Sequence, residues 1–151
     1  MDQYMKLALE SAQIGYQNGE GGPFGAAVIK DGVVLAVAHN QVLKNNDPTA
    51  HAEIMAIRQA CQAIGSHDLS GAILYATGQP CPMCLSAIIW ANIKTCYYAN
   101  TVQDAEKIGF RDDMIYHYLQ EGGNLLELKQ LDRDACIAMY EDYANRQGTI
   151  Y

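Results

Sequence analysis

Tyr4, Leu7, Ala8, Ser11, Ala12 and Gly15 are apolar or small and recur at steps of three and four, which predicts an amphipathic helix over residues 3–17. Gly19, Gly21 and Gly22-Pro23 stop it. The pattern then changes. Phe24–Lys30 and Val33–His39 are rich in strand-forming residues, and Asp31-Gly32 between them is a two-residue hairpin turn. Asn45–Thr49 is expected as a loop, with Asp47 or Thr49 capping the next helix and Pro48 at its first position. That helix is predicted over His51–Ile64, where Ala52, Ala56, Ala60 and Ala63 form a small-residue stripe suited to close packing on a sheet. Ala72–Thr77 predicts a short buried strand. Pro82 opens a helix carrying Leu85, Ile88 and Ile89 on one face, and Lys94–Ala99 predicts another strand. Thr101–Ile108 and Met114–Leu119 are helical in pattern, with Gly109 between them. Leu125–Leu128 is expected as a last strand and Arg133–Arg146 as a last helix. Met5, Met55, Met83, Met114 and Met139 fall on apolar positions and are expected in the core. Helices alternating with short strands define an α/β layered domain, and nothing divides residues 1–151 by repeat or linker.

Charge narrows the partners. The formal net charge is −7, and the ten Lys and Arg are scattered singly. Such a surface repels a phosphate backbone, so a small molecule is expected as partner in preference to nucleic acid. Apolar runs such as Leu85–Ala91 are too short to span a bilayer, and Met1-Asp2-Gln3-Tyr4 does not resemble a secretion signal. Five cysteines in such a chain suggest a reducing cytoplasm and metal binding rather than disulfides.

The chemistry is concentrated in two strings, His51-Ala52-Glu53 and Pro80-Cys81-Pro82-Met83-Cys84. One imidazole and two thiolates suit zinc, and three protein ligands leave one tetrahedral position open. Both strings fall at predicted helix starts, where partial positive charge favours thiolate. Cys81 and Cys84 are three apart, so one turn brings both sulfurs to a single centre. Glu53 lies two residues from His51, off its face, and suits an acid–base role rather than a fourth ligand. A closed structural site would need another donor. Cys61 is ten residues past His51, roughly 15 Å along a helix. Cys96 and Cys136 sit among apolar residues and are expected in the core, and His39 and His67 have no ligand-type spacing.

The pattern H-x-E…P-C-x-x-C is shared with zinc nucleobase deaminases. The chain resembles the cytidine deaminase-like superfamily, and within it most resembles the bacterial guanine deaminases. The matching residues are Gly22-Pro23-Phe24-Gly25, Asn46 to Glu53, Pro80 to Cys84, Ile89-Trp90-Ala91, and Ala105 with Gly109-Phe110-x-Asp112. The resemblance implies a three-layer α/β/α fold with a central mixed five-stranded sheet, one zinc per subunit, and hydrolysis of a purine base, guanine to xanthine plus ammonia. It implies Asn40 hydrogen-bonding the base, Phe24 packing on it, and Asp112 near the exocyclic 2-amino group as recognition residue and second proton carrier. Ala52, Trp90 and Tyr151 complete the candidate substrate-binding set. It also implies a homodimer in which C-terminal segments exchange, so that Tyr151 closes the partner's pocket.

Asp112 fits this independently, because guanine offers N–H donors at N1 and N2 and a carboxylate only accepts. Plainer roles stay open at this point. Asp112 or Asp113 could cap a helix, Asn40 could simply leave a strand, Phe24 and Trp90 could be core, and Tyr151 could be a frayed end. One departure stands out: Gln79 precedes the Pro-Cys pair where the family usually has Glu. Competing functions are a nucleoside deaminase acting on guanosine, a tRNA adenosine deaminase, a cytosine deaminase, and a zinc protein without catalysis.

Overall fold

A computed structural model describes residues 1–151. The chain divides into two compact units, residues 1–120 and 121–151.

In the first unit, α1 (Gln3–Gln17) begins where the Asp2 carboxylate accepts from the Tyr4 and Met5 N–H groups at 2.8 and 2.9 Å. Strands β1 (Gly25–Lys30) and β2 (Val33–His39) form the expected hairpin, with Asp31 and Gly32 both at positive φ in the turn. β3 (Ala72–Gly78) pairs antiparallel with β1, and β4 (Thr95–Asn100) lies parallel to β3. The sheet order is β2-β1-β3-β4, mixed and four-stranded. The fifth strand expected from Leu125–Leu128 does not form.

Alternation along β1 sorts the core into two layers. Ala26 and Val28 join Leu74, Ala76 and the alanines of α3 (Ala52–Ile64) in one cluster. Ala27 and Ile29 join Tyr75 and Ala8 of α1 in the other. The sheet is therefore covered on both faces by helices, the three-layer arrangement expected. β1 is buried on both faces, which its unbroken apolar run requires. Gly25 faces α1 so closely that a Cβ there would collide with the Ala8 carbonyl. The predicted stripe holds at Ala52, Ala56 and Ala60, while Ala63 is exposed.

Three local expectations change. Asp47 does not cap α3: its carboxylate accepts from the Thr49 N–H and hydroxyl at 2.8 and 2.7 Å, closing its own turn, and the helix starts after His51. A short helix α2 (Val42–Asn45) precedes that turn. In α4 (Pro82–Trp90) the buried face is Pro82, Cys84 and Ile88, and Leu85 and Ile89 face outward. Cys84 sets the inward direction, and a residue four on shares its face. After β4 come α5 (Val102–Lys107) and α6 (Asp112–Glu121), separated at Gly109 as predicted. No helix is long and apolar enough to cross a membrane.

The second unit holds α7 (Arg133–Asn145), none of whose residues is buried. Cys136 is exposed and Met139 is 64% exposed, so neither is a core residue as the apolar pattern suggested. Leu125, Leu126 and Leu128 are also exposed. Two adjacent leucines break the period-two alternation a half-buried strand needs, and Gly122 and Gly123 precede them at positive φ. The Tyr143 hydroxyl donates to the Thr149 carbonyl at 2.7 Å within this unit.

Candidate metal centre and active site

Two helix starts meet at one point. His51 is the residue before α3 and Cys81 the residue before α4; both have extended backbone, and neither side chain caps its own helix. Their side chains turn toward each other instead. His51 Nδ1 lies 3.6 Å from Cys81 Sγ and 3.5 Å from Cys84 Sγ. The three donor atoms lie within 4.8 Å of one another. Tetrahedral zinc with Zn–N near 2.0 Å and Zn–S near 2.3 Å would put nitrogen and sulfur roughly 3.5 Å apart. The donor set therefore fits zinc in chemistry and in spacing, with no fourth protein donor in the group. The N-terminal ends of both helices add positive potential that favours thiolate. Cys81 is pulled down to about 4, chiefly by a hydrogen bond from Cys84 and also by His51. Cys84 is pushed up by that shared proton and by burial. A cation displaces such shared protons when it binds.

Glu53 is 7% exposed, one of few buried polar side chains. Burial raises its carboxyl above the ordinary range, and the neighbouring Cys81 thiolate adds to this. Glu53, His51 and Cys81 line a cavity of about 940 Å³ together with Phe24, Asn40 and Asp112. That volume is at the upper end of the roughly 300–1,000 Å³ usual for small-molecule pockets.

The cavity walls follow from local structure. Phe24 stands just before β1 and packs edge-to-face on Phe110, ring centroids 4.8 Å apart. A Cβ on Gly22 would meet Phe110 at 2.8 Å and Phe24 at 2.9 Å, so a side chain there would displace this ring pair. Asn40 is 5% exposed and follows β2. Its Oδ1 accepts from the Val42 N–H at 3.1 Å, which leaves the amide –NH₂ as its free functional half. The preceding His39 is held between the Ser11 hydroxyl at 3.0 Å and the Glu20 carboxylate at 2.6 Å, which anchors this strand end to α1. Asp112 is the first residue of α6 and lines the cavity, and burial raises its carboxyl as well.

Other candidates lie differently. Ala52 is fully buried between His51 and Glu53 and does not line the cavity. Trp90, the last residue of α4, is 68% exposed and does not line the cavity. Tyr151 ends the second unit and is 79% exposed. Gln79 lines the cavity, and its side-chain carbonyl accepts from the Val102 N–H at 3.2 Å, holding the start of α5. A Glu could accept the same bond, so the family's usual residue and this one share the structural task. Two contributors escaped the sequence reading as site residues. Phe110 supports Phe24, and Tyr116 donates its hydroxyl to the Pro80 carbonyl at 2.6 Å.

These features define a zinc-dependent deaminase domain. The family described as cytidine and deoxycytidylate deaminase zinc-binding region matches residues 1–100, and the chain belongs to it. Membership makes it a hydrolytic enzyme with zinc as its cofactor, and His51, Cys81 and Cys84 form the group able to hold one ion. The chain is 49% identical over 113 residues to guanine deaminase of Bacillus subtilis, covering 75% of this chain and 72% of that one. The X-ray structure of the Bacillus subtilis guanine deaminase superposes with a TM-score of 0.90 at 39% identity, covering 96% of this chain and 95% of the other. A structure from studies of A-to-I editing by tRNA:A34 deaminases superposes with a TM-score of 0.63 at 45% identity, covering 65% and 75%.

Proposed function

We propose that this enzyme hydrolyses guanine to xanthine and ammonia in the cytoplasm, as a step of purine breakdown. The observation that carries the reading is the convergence of two carboxylates, Glu53 and Asp112, on one cavity with the His51–Cys81–Cys84 group. The extended similarity to a guanine deaminase, over 96% of the chain, supports it. Five unpaired thiols suit a reducing compartment.

Zinc, when bound by His51, Cys81 and Cys84, supplies the Lewis acidity that makes water nucleophilic at neutral pH. The protein's own groups do the rest. Glu53 accepts the proton of the attacking water and hands it to the ring nitrogen beside the attacked carbon. It then helps protonate the departing amine. Its raised pKa suits both directions of transfer, since a carboxyl nearer neutrality gives up and takes a proton with less penalty.

Asp112 accepts from N–H groups at the amino-bearing edge of guanine and carries a second proton toward the leaving amine. Asn40, its oxygen committed to Val42, donates from –NH₂ to an acceptor of the base. Phe24, braced by Phe110, gives the base an apolar wall. Adenine has no 2-amino group and would leave the Asp112 carboxylate in the cavity wall unpaired, so it is the poorer substrate.

The second unit is assigned to a homodimer with exchanged C-terminal segments, Tyr151 closing the partner's pocket. Support comes from α7, which buries no residue in the monomer, and from exposed Leu125, Leu126, Leu128, Leu131 and Ile150. The test of the substrate is a panel on purified, zinc-replete protein. Ammonia is scored from guanine, guanosine, adenine, adenosine, cytosine, cytidine and a tRNA anticodon stem-loop. Guanine should lead; faster release from the stem-loop would move the enzyme to the tRNA deaminases, and from guanosine to the nucleoside deaminases.

A further inference from the structure

The Asp112 carboxylate must keep its position on a helix that the core does not hold. No residue of α6 is buried, and Met114, Ile115 and Leu119 on it are exposed. Two links bracket the carboxylate. Two residues before it, the Phe110 ring packs on Phe24. Four residues after it, the Tyr116 hydroxyl donates to the Pro80 carbonyl at 2.6 Å. A spacing of four puts Asp112 and Tyr116 on the same helix face.

The acceptor is unusual in its position. Pro80 is buried and has no N–H, so its carbonyl is the one polar backbone group it brings into the interior. It directly precedes Cys81. The Tyr116 hydroxyl therefore satisfies a buried carbonyl and, in the same bond, ties the helix bearing Asp112 to the segment that leads into Cys81 and the first turn of α4, where both sulfur donors sit.

We infer that Tyr116 is a positioning residue of this active site, setting the place of the Asp112 carboxylate relative to the start of α4 through its hydrogen bond to Pro80. This rests on the role assigned to Asp112 above. Tyr116 touches neither the base nor the reacting atoms; it acts through Asp112.

The experiment is a double-mutant cycle of Tyr116→Phe and Asp112→Ala in the zinc-replete full chain, run with whichever base of the panel the wild type deaminates fastest. The expected result is a loss of about ten- to a hundredfold in kcat/KM for Tyr116→Phe alone, in the range a small misplacement of a working group produces. In the Asp112→Ala background the same substitution should cost less than twofold, because there is no carboxylate left to place. Zinc content should stay at one per chain throughout. Hydrogen–deuterium exchange supplies a readout apart from turnover: the amides of residues 112–121 should exchange faster in Tyr116→Phe. An equal loss in both backgrounds, no loss in the wild type, or unchanged exchange in α6 would each overturn the inference. A wild type that prefers another base would overturn the guanine assignment, while the cycle on that base would still decide the role of Tyr116.

Discussion

Two kinds of helix start coexist in this molecule. At α1 and α5 the residue before the helix serves the helix. Asp2 accepts from two backbone N–H groups, and Thr101 and Asp104 form a reciprocal capping box. At α3 and α4 the same position is occupied by His51 and Cys81, whose side chains make no cap. A cap is worth about 0.5–2 kcal/mol. The two helices at the centre of the enzyme forgo that stabilisation, and their start residues face a shared metal position instead. Their first turns still raise the local potential at that shared position. What is given up locally is regained when zinc joins the two starts, because a ligand that binds only the folded state stabilises it.

This contrast predicts different outcomes for similar truncations. Cys84→Ala removes a metal donor, and the expected result is loss of both zinc and ammonia release; elemental analysis with an ammonia assay checks this. Activity retained without the metal would break the comparison at its root. Asp112→Ala should keep one zinc per chain and lose about two to three orders of magnitude in guanine turnover, through lost recognition and an unpaired base edge. Parallel loss of zinc would make Asp112 a structural residue. Asp2→Ala sharpens the contrast from the other side. It should lower stability by about 1 kcal/mol, a drop in Tm of about 2–4 °C for a chain of this size. Ammonia release by the folded enzyme should be unchanged.

The metal centre was legible in the sequence because each half of it is local. His51 with Glu53, and Cys81 with Cys84, are fixed by spacing within one turn, and the fold has only to bring two short strings together. The hairpin was legible because Asp31-Gly32 allows few other turns. Tyr116 was not, because its partner is a backbone carbonyl 36 residues away and carbonyls leave no mark in a sequence. Of the apolar face Leu85, Ile88 and Ile89 expected on α4, only Ile88 is buried, because aiming Cys84 at the site turns the other two outward. The expected strand at Leu125–Leu128 failed for a related reason: four residues of apolar composition specify no pairing partner, and the sheet ends at β4. Asp47, one of two cap candidates, closes an Asx turn instead, and the sequence does not separate the two because both use the same side-chain chemistry.

The most direct test compares wild type with Glu53→Gln, both carrying one zinc per chain, for ammonia released from guanine. A proton carrier that acts beside an intact metal group should lose about 10²–10⁴-fold in kcat on that exchange, with zinc content unmoved. Equal rates in the two proteins, or a variant that has lost its zinc, would contradict the account.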